Sequence, residues 1–117
     1  MILHLLTASE WAGADAPEYR PESLATDGFI HCSADDDLIL DVANHVYRDS
    51  GEVLVLSIDE HDLAAELRWE APHPTPPDWP GTPLYPHLYG ALNLDAVVGV
   101  RRLVHDASGR FVGYERA

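Results

Sequence analysis

Seven histidines are spread over 117 residues, and three of them interrupt apolar, β-prone runs. His4 sits in Ile2-Leu3-His4-Leu5-Leu6, His31 in Gly28-Phe29-Ile30-His31-Cys32-Ser33, and His87 in Tyr85-Pro86-His87-Leu88-Tyr89-Gly90. An imidazole in such a run is either a hydrogen-bonded core group or one wall of a polar cleft. His45, His61, His73 and His105 fall on a helix surface, in turns or on a hairpin, and read as solvated side chains. Glu70 closes the run Leu67-Arg68-Trp69-Glu70, where an unpaired carboxylate is costly to bury. It is therefore either ion-paired with Arg68 or Arg101, or aimed into a cleft beside Trp69.

Two further chemistries follow from the same side chains. His31, His87 and Glu70 supply three N/O donors, the number a catalytic zinc takes, which makes a metal-dependent hydrolase an alternative; no His-x3-His or His-Glu-x-x-His spacing supports it. Cys32 follows His31 directly, and strand neighbours point to opposite faces. A buried, inert thiol is the expectation there. His31-Cys32-Ser33 also matches one half of a paired His-x-Ser/Thr phosphoesterase signature, but His87-Leu88-Tyr89 does not supply the second half.

These groups need elements to hold them. Residues 2 to 6 read as a strand, followed by a brief helical turn through Trp11 capped by Thr7 or Ser9. Residues 13 to 23, with two prolines and a glycine, read as loop. Residues 28 to 33 read as a second strand. Ser33 then caps a helix over 34–47, with Asp35, Asp36 and Asp37 in the first turn where the dipole favours negative charge. Leu38, Ile39, Val42 and Val46 mark its buried face. Residues 53 to 58 (VLVLSI) are apolar on both faces, as a central strand is. A turn or short helix over 59–65 leads to a strand at 67–70. Six prolines between positions 72 and 83 exclude regular structure and predict an exposed flap, able to close over a cleft mouth. The β-prone run 85–90 and a short helical or extended link at 94–98 precede a hairpin, 99–105 with 110–115, turned at Asp106-Ala107-Ser108-Gly109. Short strands around one good helix predict a single α+β domain over 1–117, with the strands at 2–6, 28–32 and 53–58 adjacent in one curved core.

Composition narrows the function classes. Twenty acidic residues face seven arginines and no lysine, a net charge of −13. Such a field repels phosphate backbones and anionic membranes, so nucleic-acid and membrane partners are not expected. No apolar run is long enough to span a bilayer, and the first residues do not form a secretory signal. One cysteine excludes a disulfide framework and suits a reducing cytoplasm.

Over nearly its whole length the chain resembles a small, mainly bacterial family, domain of unknown function 952. The resemblance rests on Leu3-His4-Leu5, Trp11, Tyr19-Arg20-Pro21-Glu22-Ser23-Leu24, the G-F-I-H-C-S block at 28–33, Arg68-Trp69-Glu70 and the P-H-L-Y-G block at 86–90. That family is remotely grouped with the ADP-ribosyltransferase superfamily, which implies small split antiparallel sheets around an NAD cleft. The grouping matches His4 to a ribose-binding histidine on the first strand and Glu70 to the ribose-anchoring acid. Ile30 and His31 stand where a nicotinamide-stacking tyrosine is expected, and Tyr85 replaces a phenylalanine. The expected site is thus His4, His31, Glu70 and His87 as the chemical group, Trp69 and Tyr89 as stacking walls, and Ser33 and Arg20 as further ligand contacts. The function this implies is a small-ligand module for an NAD- or ADP-ribose-like molecule, with an ADP-ribosyltransferase-like enzyme as the alternative.

Overall fold

The computed structural model describes residues 1–14 and 17–117. Fifty-three to fifty-eight is the pivot of the architecture. In chain order the elements are β1 (Ile2–Thr7), α1 (Ala8–Ala12), β2 (Glu18–Tyr19), α2 (Glu22–Thr26), β3 (Ile30–His31), α3 (Asp36–Val46), β4 (Val53–Ile58), β5 (Glu66–Glu70), β6 (Tyr85–Tyr89), β7 (Leu92–Asn93), β8 (Val97–His105) and β9 (Phe111–Arg116), with single 3-10 turns at Glu60–Asp62 and Leu94–Ala96. A four-stranded sheet runs β1-β4-β8-β9, a three-stranded one β3-β6-β5, and β2 pairs with β7. Every pairing is antiparallel. The protein is a small α+β fold with few helices.

β4 lies between β1 and β8, and its apolar residues feed both faces. Val53 and Val55 pack with Leu3, Leu5, Ile39 and Ala43, whereas Leu54, Leu56 and Ile58 pack with Ile2, Leu6, Ile30 and Leu88. α3 therefore covers one face of the large sheet and the smaller sheets cover the other. The two sheet systems meet at β1, where Leu3 and Ser33 exchange two backbone hydrogen bonds of 2.8 and 2.7 Å. The expected adjacency of residues 2–6, 28–32 and 53–58 holds in this form: β1 joins β4 in one sheet and the β3 segment at a seam.

Local chemistry explains the element ends. Thr7 and Glu10 form a reciprocal capping box on α1, which satisfies two backbone donors at once. α3 starts later than expected: Asp35, not Ser33, accepts from the Leu38 backbone, because the backbone of Ser33 is engaged with Leu3. Its buried residues are Ile39 and Ala43, one full turn apart, and Val46 lies 65% exposed. The expected loop at 13–23 carries β2 and the start of α2 instead; its residues 15 and 16 lie outside the described residues. The strand expected over 28–33 narrows to Ile30–His31, with Ser33 held by its bridge to Leu3. Two glycines are conformational necessities. Gly28, at φ +86, turns the chain into Phe29, and a Cβ on Gly90, at φ +159, would stand 2.7 Å from the Ala65 side chain.

Residues 71–84 contain no helix or strand, in keeping with their prolines. Among the described residues no helix is long and apolar enough to cross a membrane.

Candidate functional site

Alternation along β1 puts His4 on the face of Ile2 and Leu6, toward the seam. Its Nδ1 lies 2.6 Å from the backbone carbonyl of His31. A carbonyl only accepts, so Nδ1 carries the proton and Nε2 presents a lone pair. Burial pushes the His4 pKa down, against the opposing pull of that carbonyl and the more distant Glu10, so the ring is neutral at pH 7. Its Nε2 is buried and has no hydrogen-bond partner.

A cleft of about 730 Å3 opens at this seam, between the C-terminal half of α3, the loop carrying β2, and the β3-β6-β5 sheet. Its walls include His4, Tyr19, His31, Cys32, Ser33, His73 and His87. The volume falls within the range of roughly 300–1,000 Å3 usual for small-molecule sites. Tyr19 tilts over His4 with ring centroids 5.9 Å apart, and its hydroxyl is likewise buried without a partner. Burial raises the Tyr19 pKa, with Glu10 and Tyr47 adding to the rise, so the hydroxyl keeps its proton. Among the described residues, three buried side-chain polar atoms lack a partner, and the two on His4 and Tyr19 both belong to this cleft.

The opposite wall is aromatic and backed by carboxylates. β3 and β6 pair His31 with His87, and their ring centroids stand 5.6 Å apart. Phe29 stacks on His87 at 4.1 Å and 21° and tilts against His31 at 4.8 Å. Asp27 holds Nε2 of His31 at 2.8 Å, and that hydrogen bond keeps the Asp27 carboxyl below its ordinary pKa. Nδ1 of His87 lies 2.9 Å from Glu70 Oε1, and Tyr89 donates its hydroxyl to the same oxygen at 2.6 Å. These two bonds, Tyr89 first, lower the Glu70 pKa. Glu70 is thus ionised at pH 7 and can only accept, so the His87 proton sits on Nδ1. Desolvation lowers the His87 pKa more than Glu70 raises it, leaving a neutral ring with a lone pair on Nε2.

The structure sorts the expected site residues. His4, His31, His87 and Ser33 share the cleft. Glu70 does not wall it; the carboxylate stands behind His87 as its hydrogen-bond partner. Neither expected arginine takes Glu70 as its ion-pair partner, since Arg68 pairs with Glu66 and Arg101 with Asp36. Trp69 and Tyr89 are not cleft walls. Strand alternation sends Trp69 to the face opposite Glu70, where it is 45% exposed, and Tyr89 is covered by Arg68, whose guanidinium carbon lies 4.5 Å from the ring centre. Arg20 points to solvent beside Glu18. His73 is exposed, as expected, and with Pro72 and Pro74 it also borders the cleft, its ring 6.4 Å from His31. Only this first part of the flap reaches the cleft. Burial pushes the Cys32 thiol up to about 12, so it is not a nucleophile at neutral pH.

Tyr19, Phe29 and His73 were not singled out by their sequence contexts. Phe29 carries a signal in hindsight, an aromatic after a glycine and beside a histidine strand; Tyr19 and His73 lie in proline-bounded segments without periodicity. Among the described residues no group of three or more His, Cys, Asp or Glu side chains is placed to share a metal ion. Among the described residues that wall the cleft there is no arginine, while Glu10, Glu22 and Asp27 are present.

Comparison with known proteins places this geometry in a family. In solved structures, the crystal structure of protein CC0527 from Caulobacter crescentus is 28% identical, with a TM-score of 0.78 over 95% of this chain and 92% of that one. A double mutant of the same protein gives 27% identity and 0.77 over the same shares. Its solution NMR structure gives 29% and 0.71 over 92% and 88%. No curated protein matches the chain. The model of a protein family of unknown function, DUF952, matches residues 5–100, a span that begins just after His4 and carries His31, Glu70 and His87, and the chain belongs to that family.

Proposed function

We propose that the protein is a small-molecule binding module whose ligand enters the cleft between α3 and the β3-β6-β5 sheet. One observation carries this reading: two residues that line the cleft, His4 and Tyr19, each bury a polar atom, Nε2 and the hydroxyl, that has no hydrogen-bond partner among the described residues. A buried unsatisfied polar atom costs about 1–3 kcal/mol, a cost that a bound ligand repays. A fragment screen followed by NMR tests it. Binders are expected to shift the resonances of His4, Tyr19, His31 and His87 together. A screen in which hits perturb only other surfaces removes the reading.

A second reading, an enzyme in the same cleft, is favoured by the Glu70–His87 contact. A carboxylate that holds Nδ1–H leaves Nε2 free to take a proton from a bound group, as a general base does. The ADP-ribosyltransferase-like version of that enzyme needs NAD beside His4, and the acidic, arginine-free walls weigh against its pyrophosphate. Incubation with NAD, followed by chromatography for free nicotinamide, is expected to show no release. Release that disappears in Glu70→Gln would restore the transferase-like reading.

A further inference from the structure

We infer that the cleft is built for a protonated amine carried on an apolar or aromatic body, an inference that rests on the small-molecule reading above. Two independent features of the cleft converge on this class.

The first is the hydrogen-bonding polarity of the floor. His4 and Tyr19 are each 6% exposed, and the His4 proton is committed to the His31 carbonyl at 2.6 Å. What His4 offers the cleft is an acceptor, and only a ligand N–H or O–H can satisfy it. A carboxylate or phosphate has no proton to give at neutral pH and would set its charge against the lone pair. An ammonium group has three donors, enough for His4 Nε2 and the Tyr19 oxygen at once.

The second is charge. Glu10, Glu22 and Asp27 are the charged side chains among the walls, and all three are exposed at the mouth. Asp27 is engaged by His31 and one oxygen of Glu10 by the Thr7 backbone; Glu22 has no ion pair among the described residues. Four of the seven arginines are ion-paired elsewhere, Arg20 with Glu18, Arg68 with Glu66, Arg101 with Asp36, and Arg102 with Glu52 and Glu115, and Arg48 bonds the Ser108 carbonyl. An acidic mouth concentrates cations and turns anions away. Between mouth and floor the walls are Leu5, Ile39, Val42 and Tyr47, which supply apolar area and an aromatic face for the ligand body.

The test is calorimetry and NMR on the whole chain with monoamines bearing phenyl, indolyl or alkyl bodies, each matched with its alcohol and its carboxylate. At least one amine is expected to bind about tenfold more tightly than its alcohol, a difference of about 1.4 kcal/mol, and the matched carboxylate not at all. Tyr19→Phe, which keeps the ring and removes only the hydroxyl, is expected to weaken the amine about tenfold without unfolding the chain. Alcohols that bind as well as amines, with the same loss in Tyr19→Phe, would overturn the amine assignment and leave the cleft reading standing. A preference for carboxylates would do the same. Failure of all three series to bind would overturn the amine assignment, and the fragment screen then decides the cleft reading.

Discussion

The rim of the large sheet and the floor of the cleft handle polar groups in opposite ways. At the rim, Arg101 on β8 gives two hydrogen bonds to Asp36 at the start of α3 and stacks 4.4 Å from the centre of the Tyr114 ring. Tyr114 donates to the Asp36 carbonyl. Arg102 is shared between Glu52 and Glu115. In the cleft, His4 and Tyr19 each bury a polar atom that no group among the described residues meets. The rim polar groups hold elements together and leave nothing over. Those of the cleft floor cost stability, and cost without structural return marks the part of the molecule shaped by something other than folding.

The largest effect that separates these regions belongs to neither, but to the strand between them. Leu56 is fully buried at the centre of β4. Leu56→Ala is expected to lower stability by about 2–5 kcal/mol, through lost burial and an added cavity, as read by denaturant unfolding. Leu56 packs on the face away from α3, and its loss should reach the α3 side as well because β4 belongs to one cooperatively folding sheet. Hydrogen exchange that loosened only one side would show that the two layers fold as separable units, and the comparison would then be between independent bodies.

Acid is expected to act on the cleft first. His4 and His87 both have folded pKa values below the ordinary 6.5. The unfolded chain therefore takes up protons that the folded chain refuses, and stability rises with pH through this window. Their contribution is complete above about pH 6.5 and is lost as pH falls below it, at up to about 1.4 kcal/mol per pH unit for each group. The carboxylates Asp27, Asp36 and Glu70, whose pKa values are lowered, lose their contributions only as pH falls further, below the ordinary carboxylate range. Thermal melts from pH 7 to 5 are expected to show falling Tm, and NMR titration should show His4 and His87 protonating only below the ordinary imidazole pKa of 6.5. A flat melting profile over that range would mean that neither ring is desolvated.

How much of this was legible in the sequence depends on whether a residue's environment is set by its own run. Residues 53–58 declare a central strand because both alternate sets are apolar, and the proline flap, the late hairpin and the acidic helix start are equally local. His4, His31 and His87 stand out because each is polar inside an apolar run. Glu70 stood out for its cost at a strand end, but its partners are set by the β5-β6 register, which pairs Glu70 with Tyr85 and brings His87 and Tyr89 onto its face. That same register excludes Trp69, one residue away. The α3 cap moved from Ser33 to Asp35 because of a pairing with β1, thirty residues upstream, that no window around the helix contains. Tyr19 and His73 depend on where irregular segments settle, and only the assembled seam reveals them.

The smallest expected effect is the most discriminating. Tyr19→Phe removes a single oxygen from a site where it has no partner. If the floor is not built for folding, the variant loses no hydrogen bond and sheds the desolvation cost of the hydroxyl, so its stability should stay level or rise by about 1 kcal/mol. The ring keeps its packing beside His4 and its place in the core around Ile30, Leu88 and Leu92. Most core substitutions lose stability, so even an unchanged Tm here separates the cleft from the rest of the interior. A loss above about 1 kcal/mol in denaturant unfolding would mean that the hydroxyl has a structural partner, and the floor would then belong with the rim, as one more set of groups that the fold holds for itself. A level or raised stability, together with weaker ligand binding in the same variant, assigns that oxygen to function alone.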